Sequence, residues 1–329
     1  VTTRDERRYR RLLWAYPRSY RDHRGAEILT TLLDMAEDGH RPGVHLVLAG
    51  LRERFRLPAR RPLVAVAALL AAAVLGGFGA AAGTWVAWRT AAAVPFDREM
   101  QALNAALTGI PGDAPLYHET SAQQGPSVAV QADGTTDWSA WRVRDGLTGA
   151  GWRITSFREA ESRVIPREDM TTSVPVEHGM WTATSGGLKL YGDARVLVGS
   201  PFTDPASFTI RVWPVEPAVL RPLTVAGTVA GLLTGWLLVA AVARRRLAAG
   251  LVPAVLVTAG LAAATLPAYR FYREAFAVLT YAHGSPDPRI TAGPPFATPM
   301  LTLIGTVAGL LAISAAVIVA RRRPAVPAG

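Results

Sequence analysis

The chain contains no cysteine. Disulfides, thiolate nucleophiles and cysteine-based zinc sites are thereby excluded, and each domain must be held by its own core. Lysine is almost as scarce. Lys189 is the only one, and arginine supplies the rest of the 35 basic residues. With the excess of alanine, that bias fits a GC-rich bacterial coding sequence and carries no functional signal. GxSxG, SxxK, GxxxxGKS/T and kinase signatures are also missing. His118-Glu119 and Glu177-His178 are adjacent pairs without the i,i+4 spacing of HExxH, and His283 stands alone. No metal or other cofactor is expected, and the chain is read as a non-enzyme.

Charge is missing from long stretches of the chain as well, and this organises the rest. Leu63–Trp88 holds no charged residue. At 1.5 Å per residue it reaches roughly 39 Å, more than the ~30 Å hydrocarbon core of a bilayer. Arg60 and Arg61 stand before it, and Trp85 and Trp88 close it where an interfacial aromatic belt would sit. The stretch is too long for a signal h-region and follows some 60 polar residues, so it is expected to stay in the protein as an anchor. Three further apolar runs follow, Leu223–Ala243, Leu247–Pro267 and Met300–Ala320. Arginine triplets at 244–246 and 321–323 end two of them.

The net charge of +10 is unevenly spread. Residues 1–61 carry 14 arginines against 8 acids, whereas 89–221 carry 12 basic and 15 acidic side chains. Basic residues confined to alternate flanks of spans follow the positive-inside rule, so topology accounts for the charge and no direct nucleic-acid contact is expected. The predicted fold is a membrane protein with four transmembrane α-helices, a small N-terminal cytoplasmic three-helix module and an α+β extracytoplasmic domain. Its parts are the module (1–61), transmembrane helices at 62–88, 222–243, 247–267 and 300–320, the α+β domain (89–221), an extracytoplasmic loop (268–299) and a cytoplasmic tail (321–329). The implied location is the bacterial cytoplasmic membrane, multi-pass, with both termini cytoplasmic.

Within the module, helices are predicted over Arg4–Ala15, after Ser19 with a capping signature at Ser19 and Asp22, and over a stripe formed by Val44, Val47, Leu48, Leu51 and Phe55. In the outer domain the pattern predicts helices at Phe96–Leu107 and Ser139–Leu147. Strands are predicted at Ser127–Ala132, Trp152–Phe157, Arg195–Val198 and Phe208–Trp213. A hairpin is read at Trp181–Tyr191 with Trp181, Ala183, Leu188 and Leu190 on one face. Helices followed by a run of strands indicate an α+β sandwich with helices on one sheet face.

The segment RRYRRLLWAYPRSYRDHRGAEILTTLLDMAEDG, followed by HLVLAGLRERFRLP, resembles a short N-terminal prefix domain of bacterial membrane proteins and of some macrolide-exporter-type permeases encoded near PadR-type repressors. The resemblance covers about residues 7–57 and rests on the Leu-Leu…Tyr-Pro…Tyr-Arg…Glu-Ile-Leu pattern. It implies a cytoplasmic protein-contact module, with Leu12, Leu13, Tyr16, Leu29, Leu32 and Leu33 as the contact residues. A large permease domain of the exporter type is not expected in the remaining residues.

Small residues recur at helical spacing in the spans. Gly79 and Gly83, Gly227, Gly231 and Gly235, and Gly305 and Gly309 repeat every four residues, as helices in close contact require. They serve either packing among the spans or a homodimer. The heptapeptide GTVAGLL occurs at Gly227–Leu233 and again at Gly305–Leu311, from a duplicated helical hairpin or from convergence in Ala/Gly/Leu/Val-rich sequence. No span interior holds an ionisable residue, which argues against ion-coupled transport. Trp138, Trp141, Trp152 and Trp181 could line a ligand groove or fill the domain core.

Two functions follow from this pattern. One is a regulatory or sensory membrane protein coupling the extracytoplasmic domain to a cytoplasmic partner, such as a transcription regulator, through residues 1–61. The other is an accessory subunit of an ABC-type transporter, packing through the glycine faces. The lipid bilayer is the partner common to both.

Overall fold

A computed structural model describes residues 3–37, 43–57, 62–110, 114–134, 138–164, 173–198, 206–244, 251–280 and 303–307. The chain divides into two compact units. One comprises residues 1–79, 227–271 and 294–329, the other 80–226 and 272–293.

The first unit begins with three helices, α1 (Thr3–Leu12), α2 (Arg18–Glu37) and α3 (Val44–Phe55). A 3-10 turn at Leu13–Ala15 extends α1. Pro17 separates α1 from α2 because it lacks an N–H, and its own carbonyl accepts from Tyr20 N at 3.1 Å and Arg21 N at 3.0 Å to open α2. Ser19 therefore lies inside the first turn of α2. Tyr9, Leu13, Tyr16 and Leu32 form the buried core, with Leu12, Ile28, Leu29, Leu33 and Leu46 packed around them.

The stripe on α3 points elsewhere than its spacing led us to expect. Val44, Leu48 and Leu51 are 72%, 56% and 40% exposed. The face of α3 that meets the module is set by Gly50, where a Cβ would come within 2.8 Å of the Ala15 Cβ. Arg54 locks that face. Its Nε donates to the Ala15 carbonyl at 2.6 Å, and Nη2 donates to the Trp14 and Tyr16 carbonyls. The 3-10 turn leaves these carbonyls without helical partners, and the guanidinium fork supplies them.

Among the described residues, two helices are long and apolar enough to cross a membrane, α4 (Pro62–Trp88) and α7 (Leu220–Arg244). A third, α8 (Leu251–Thr280), runs for 30 residues with Pro267 inside it. The helix continues past Pro267, so residues 268–280 of the segment read as an extracytoplasmic loop are helical. A helix that packs on neighbours tolerates the one hydrogen bond that proline removes. Here Ala264 and Ala268 bury with Val74 of α4, Gly77 faces Ala268, and Phe78 meets Phe271 edge-on at 5.1 Å. The predicted fourth span lies outside the described residues except for a helical stretch at 303–307. The arginine triplet at 321–323, Gly309, His283 and most of the 268–299 loop also lie outside them.

The second unit is built on a six-stranded antiparallel sheet in the order β1-β2-β6-β5-β4-β3. Its strands are β1 (Leu116–Ser121), β2 (Gly125–Asp133), β3 (Arg153–Val164), β4 (Val174–Ser185), β5 (Leu188–Leu197) and β6 (Ala206–Pro214). Two helices, α5 (Asp97–Thr108) and α6 (Ala140–Gly149), contribute Met100, Leu103, Leu107, Val143 and Leu147 to one core with Val128, Val130, Phe208, Ile210 and Val212. Both helices thus serve one sheet face, and the α+β architecture is that of the prediction. Ser139 caps α6, its Oγ accepting from Arg142 N at 3.2 Å.

The β4–β5 hairpin turns on Gly186 and Gly187, both at positive φ (56° and 80°), as a two-residue turn between twisted strands requires. Trp181, Ala183, Leu188 and Leu190 do share the core side. Two strands read separately, Leu188–Tyr191 and Arg195–Val198, are one, continuous through Gly192. Glycine is needed there because the Trp181 indole lies against its backbone, and a Cβ would overlap the ring. The edge strand β3 alternates Arg158, Glu159, Glu161 and Arg163, charges that keep other edges from pairing with it.

Candidate functional sites

The side of the sheet away from α5 and α6 carries polar residues, because strand alternation sends every second side chain there. Its best-defined feature is a cluster on β4 and β5. His178 Nε2 meets Asp193 Oδ2 at 2.6 Å, and Arg195 Nε meets Asp193 Oδ1 at 3.3 Å. Arg211 Nη2 reaches Glu119 Oε2 at 3.5 Å, and Thr155 and Thr182 share a hydroxyl–hydroxyl bond of 2.7 Å. The hydroxyl opposite Asp193 in register is Thr209, on the far side of that carboxylate from His178. Among the described residues no hydroxyl bonds to the His178 imidazole, so the carboxylate–imidazole–hydroxyl order is not formed there. What the cluster can do is present a fixed carboxylate, imidazole and guanidinium to a polar ligand. The other histidine pair, His118 Nε2 to Asp97 Oδ1 at 3.0 Å, is open to solvent on both sides. Among the described residues no group of three histidines or carboxylates could hold a metal.

The four tryptophans do not line a groove. Trp181 is 1% exposed and stacks on Phe157 at 6.0 Å. Trp138 and Trp152 pack against the same core, with Trp138 filling the space over Gly179. Trp141 alone faces outward, 72% exposed. A disulfide-free domain uses the large indole surface as core filling.

The contact residues expected in the module are its interior. Leu13, Tyr16 and Leu32 are buried in its core, and Leu12, Leu29 and Leu33 are partly buried against them. Burial, then Tyr20 and Glu53, push the Tyr16 hydroxyl above its ordinary titration range. Among the described residues of the module, the large apolar side chains that face outward are Trp14, Met35, Val44, Leu48 and Leu51. Spacing could not say which of two apolar faces α3 would bury. Gly50, a small residue inside a helix, was the available signal.

The glycines lie in helix contacts within the chain. In the first unit, a Cβ on Gly79 would overlap the Gly227 carbonyl and stand 3.2 Å from Gly231 Cα. Gly231 lies on the Leu75 carbonyl and Gly235 on the Ala71 carbonyl. In the second unit, Gly83 lies on the Leu223 carbonyl, and the buried hydroxyls of Thr84 and Thr224 are 2.8 Å apart. Gly305 sits over the Ala263 carbonyl and Pro267 of α8. The first glycine of each GTVAGLL copy thus packs on the apolar helix that precedes it in the chain.

Sequence patterning gave no hint of how the sheet meets the end of α4. The Trp88 indole donates to the Ala122 carbonyl, in the β1–β2 turn, at 2.8 Å. Gly125, at φ +72°, lies on the same ring, where a Cβ would come within 2.5 Å. Beside them Ala87, Leu220 and Val278 form a buried cluster that also takes in Leu223.

No known protein-family model matches the chain, and no curated protein matches it.

Proposed function

We propose that the chain is a four-span protein of the bacterial cytoplasmic membrane with a regulatory role. In this reading the sheet domain is extracytoplasmic, residues 1–61 are cytoplasmic, and the two communicate through the spans. The third span is α8 and the fourth lies at 300–320. The observation that carries the reading is the seat of the β1–β2 turn on Trp88. A hydrogen bond and a glycine–indole contact tie the sheet domain to the last residue of α4, the end of that helix that belongs to the same unit. A domain meant only to be displayed would hang on a flexible tether. The polar cluster around Asp193 supplies a surface for the signal, and residues 1–61 supply the contact inside.

The glycine faces weigh against the accessory-subunit reading, because Gly79, Gly83, Gly231 and Gly235 are occupied by the chain's own helices. Crosslinking in native membranes, with mass spectrometry of what is attached to residues 1–61, tests the choice. A DNA-binding regulator is the expected partner. Recovery of an ABC-type ATPase or permease instead would contradict the regulatory reading.

A further inference from the structure

We infer that α3 is an interfacial helix, its apolar stripe seated in the headgroup region of an anionic bilayer surface. The inference rests on the reading that α4 and α7 span that bilayer. Val44, Leu48 and Leu51 stand at i, i+4 and i+7, so they form one stripe, and all three are exposed. The helix cannot roll to bury them. Gly50 on Ala15 and the Arg54 bonds to the 3-10 turn hold its other side to the module.

Two observations name the occupant. Phe55 continues the stripe, and its carbonyl accepts from the Trp236 indole of α7 at 2.9 Å. The stripe therefore ends beside a helix apolar enough to cross a membrane. Arg52 and Arg56 are exposed on the flank of the stripe, and Arg60 and Arg61 follow in sequence. A helix with an apolar face, a basic flank and one end against a span is built to lie in the plane of an anionic surface, about 5–10 Å into the headgroup boundary. A protein partner of the module then meets α1 and α2 instead.

The absence of cysteine makes the test clean. Leu48→Cys, Leu51→Cys, Ala49→Cys and Leu232→Cys variants of the full chain are each labelled with an environment-sensitive fluorophore. They are then reconstituted in nanodiscs of phosphatidylcholine and phosphatidylglycerol. Lipids carry a nitroxide either near the headgroup or near the chain end. The expected result is loss of emission at 48 and 51 with the headgroup-proximal nitroxide, and much less loss at Ala49, which is exposed on the polar flank. The probe at Leu232, midway along α7, loses emission with the chain-end nitroxide. Loss at 232 with none at 48 or 51 overturns the interfacial helix and points to a protein partner on the stripe. No loss at 232 overturns the spanning reading itself. In phosphatidylcholine alone the loss at 48 should shrink, and an unchanged loss would refute the anionic preference.

Discussion

The hydroxyls of Thr84 and Thr224 meet at 2.8 Å, and each also donates to or shares the carbonyl four residues back in its own helix, Ala80 at 2.9 Å and Leu220 at 2.8 Å. Each hydroxyl keeps its local acceptor when the other is removed. Thr84→Val and Thr224→Val should therefore each cost less than about 1 kcal/mol, and the pair should show a coupling of ~0.6 kcal/mol. Unfolding of the two single variants and the double variant in detergent measures that coupling. A coupling of several kcal/mol would mean the pair, rather than the glycines, holds α4 to α7.

Gly231 sets two effects against each other. Alanine is a better helix former than glycine by about 1 kcal/mol. A Cβ at this position would overlap the Leu75 carbonyl, and overpacking of a tight contact costs roughly 1–3 kcal/mol. Packing should win, so Gly231→Ala lowers the melting temperature of the full chain and Gly231→Leu lowers it further. Stabilisation by alanine would show that the contact is loose.

Gly192 makes the same case in the sheet. Gly192→Ala drives a methyl into the Trp181 ring and should destabilise by about 1–3 kcal/mol. Amide exchange across β4 and β5 should accelerate. Adding Trp181→Leu should recover part of the loss in exchange protection, because the space then opens. An additive double variant would place the strain elsewhere.

Arg54 is predicted to be irreplaceable by lysine. Its fork reaches the Trp14, Ala15 and Tyr16 carbonyls from one side chain, and a single ammonium on a flexible stem cannot. Hydrogen bonds to a charged group are worth about 1.5–3 kcal/mol each when buried and less when, as here, part of the network is exposed. Arg54→Lys and Arg54→Ala should both release amide protection over residues 3–15. Full protection in the lysine variant would show that charge alone suffices.

Where one period and one environment coincided, the fold was legible in the sequence. The Leu63–Trp88 run, the α5 and α6 helices and the Gly186-Gly187 hairpin could be read because each buries one face or none. The misread elements have two apolar faces or a local contact that overrides a local rule. The stripe on α3 has helical period, yet Gly50 and Arg54 give the module the other face. Proline at 267 marks an end in water, but packing on α4 carries α8 through it. The strand runs on through Gly192, between two segments read separately, because glycine there makes room for Trp181. The His178–Asp193 pair was invisible because its members are 15 residues apart and meet only through strand register.

The central claim is that the sheet domain and residues 1–61 lie on opposite sides of a membrane. A cysteine-free chain allows it to be tested with one reagent. Asp145→Cys on α6 and Asp34→Cys on α2, both at exposed positions, are expressed singly and treated with a membrane-impermeant maleimide in intact cells. The account predicts labelling at 145 before permeabilisation and at 34 only after it. Labelling of both in intact cells, or of 34 alone, would contradict it.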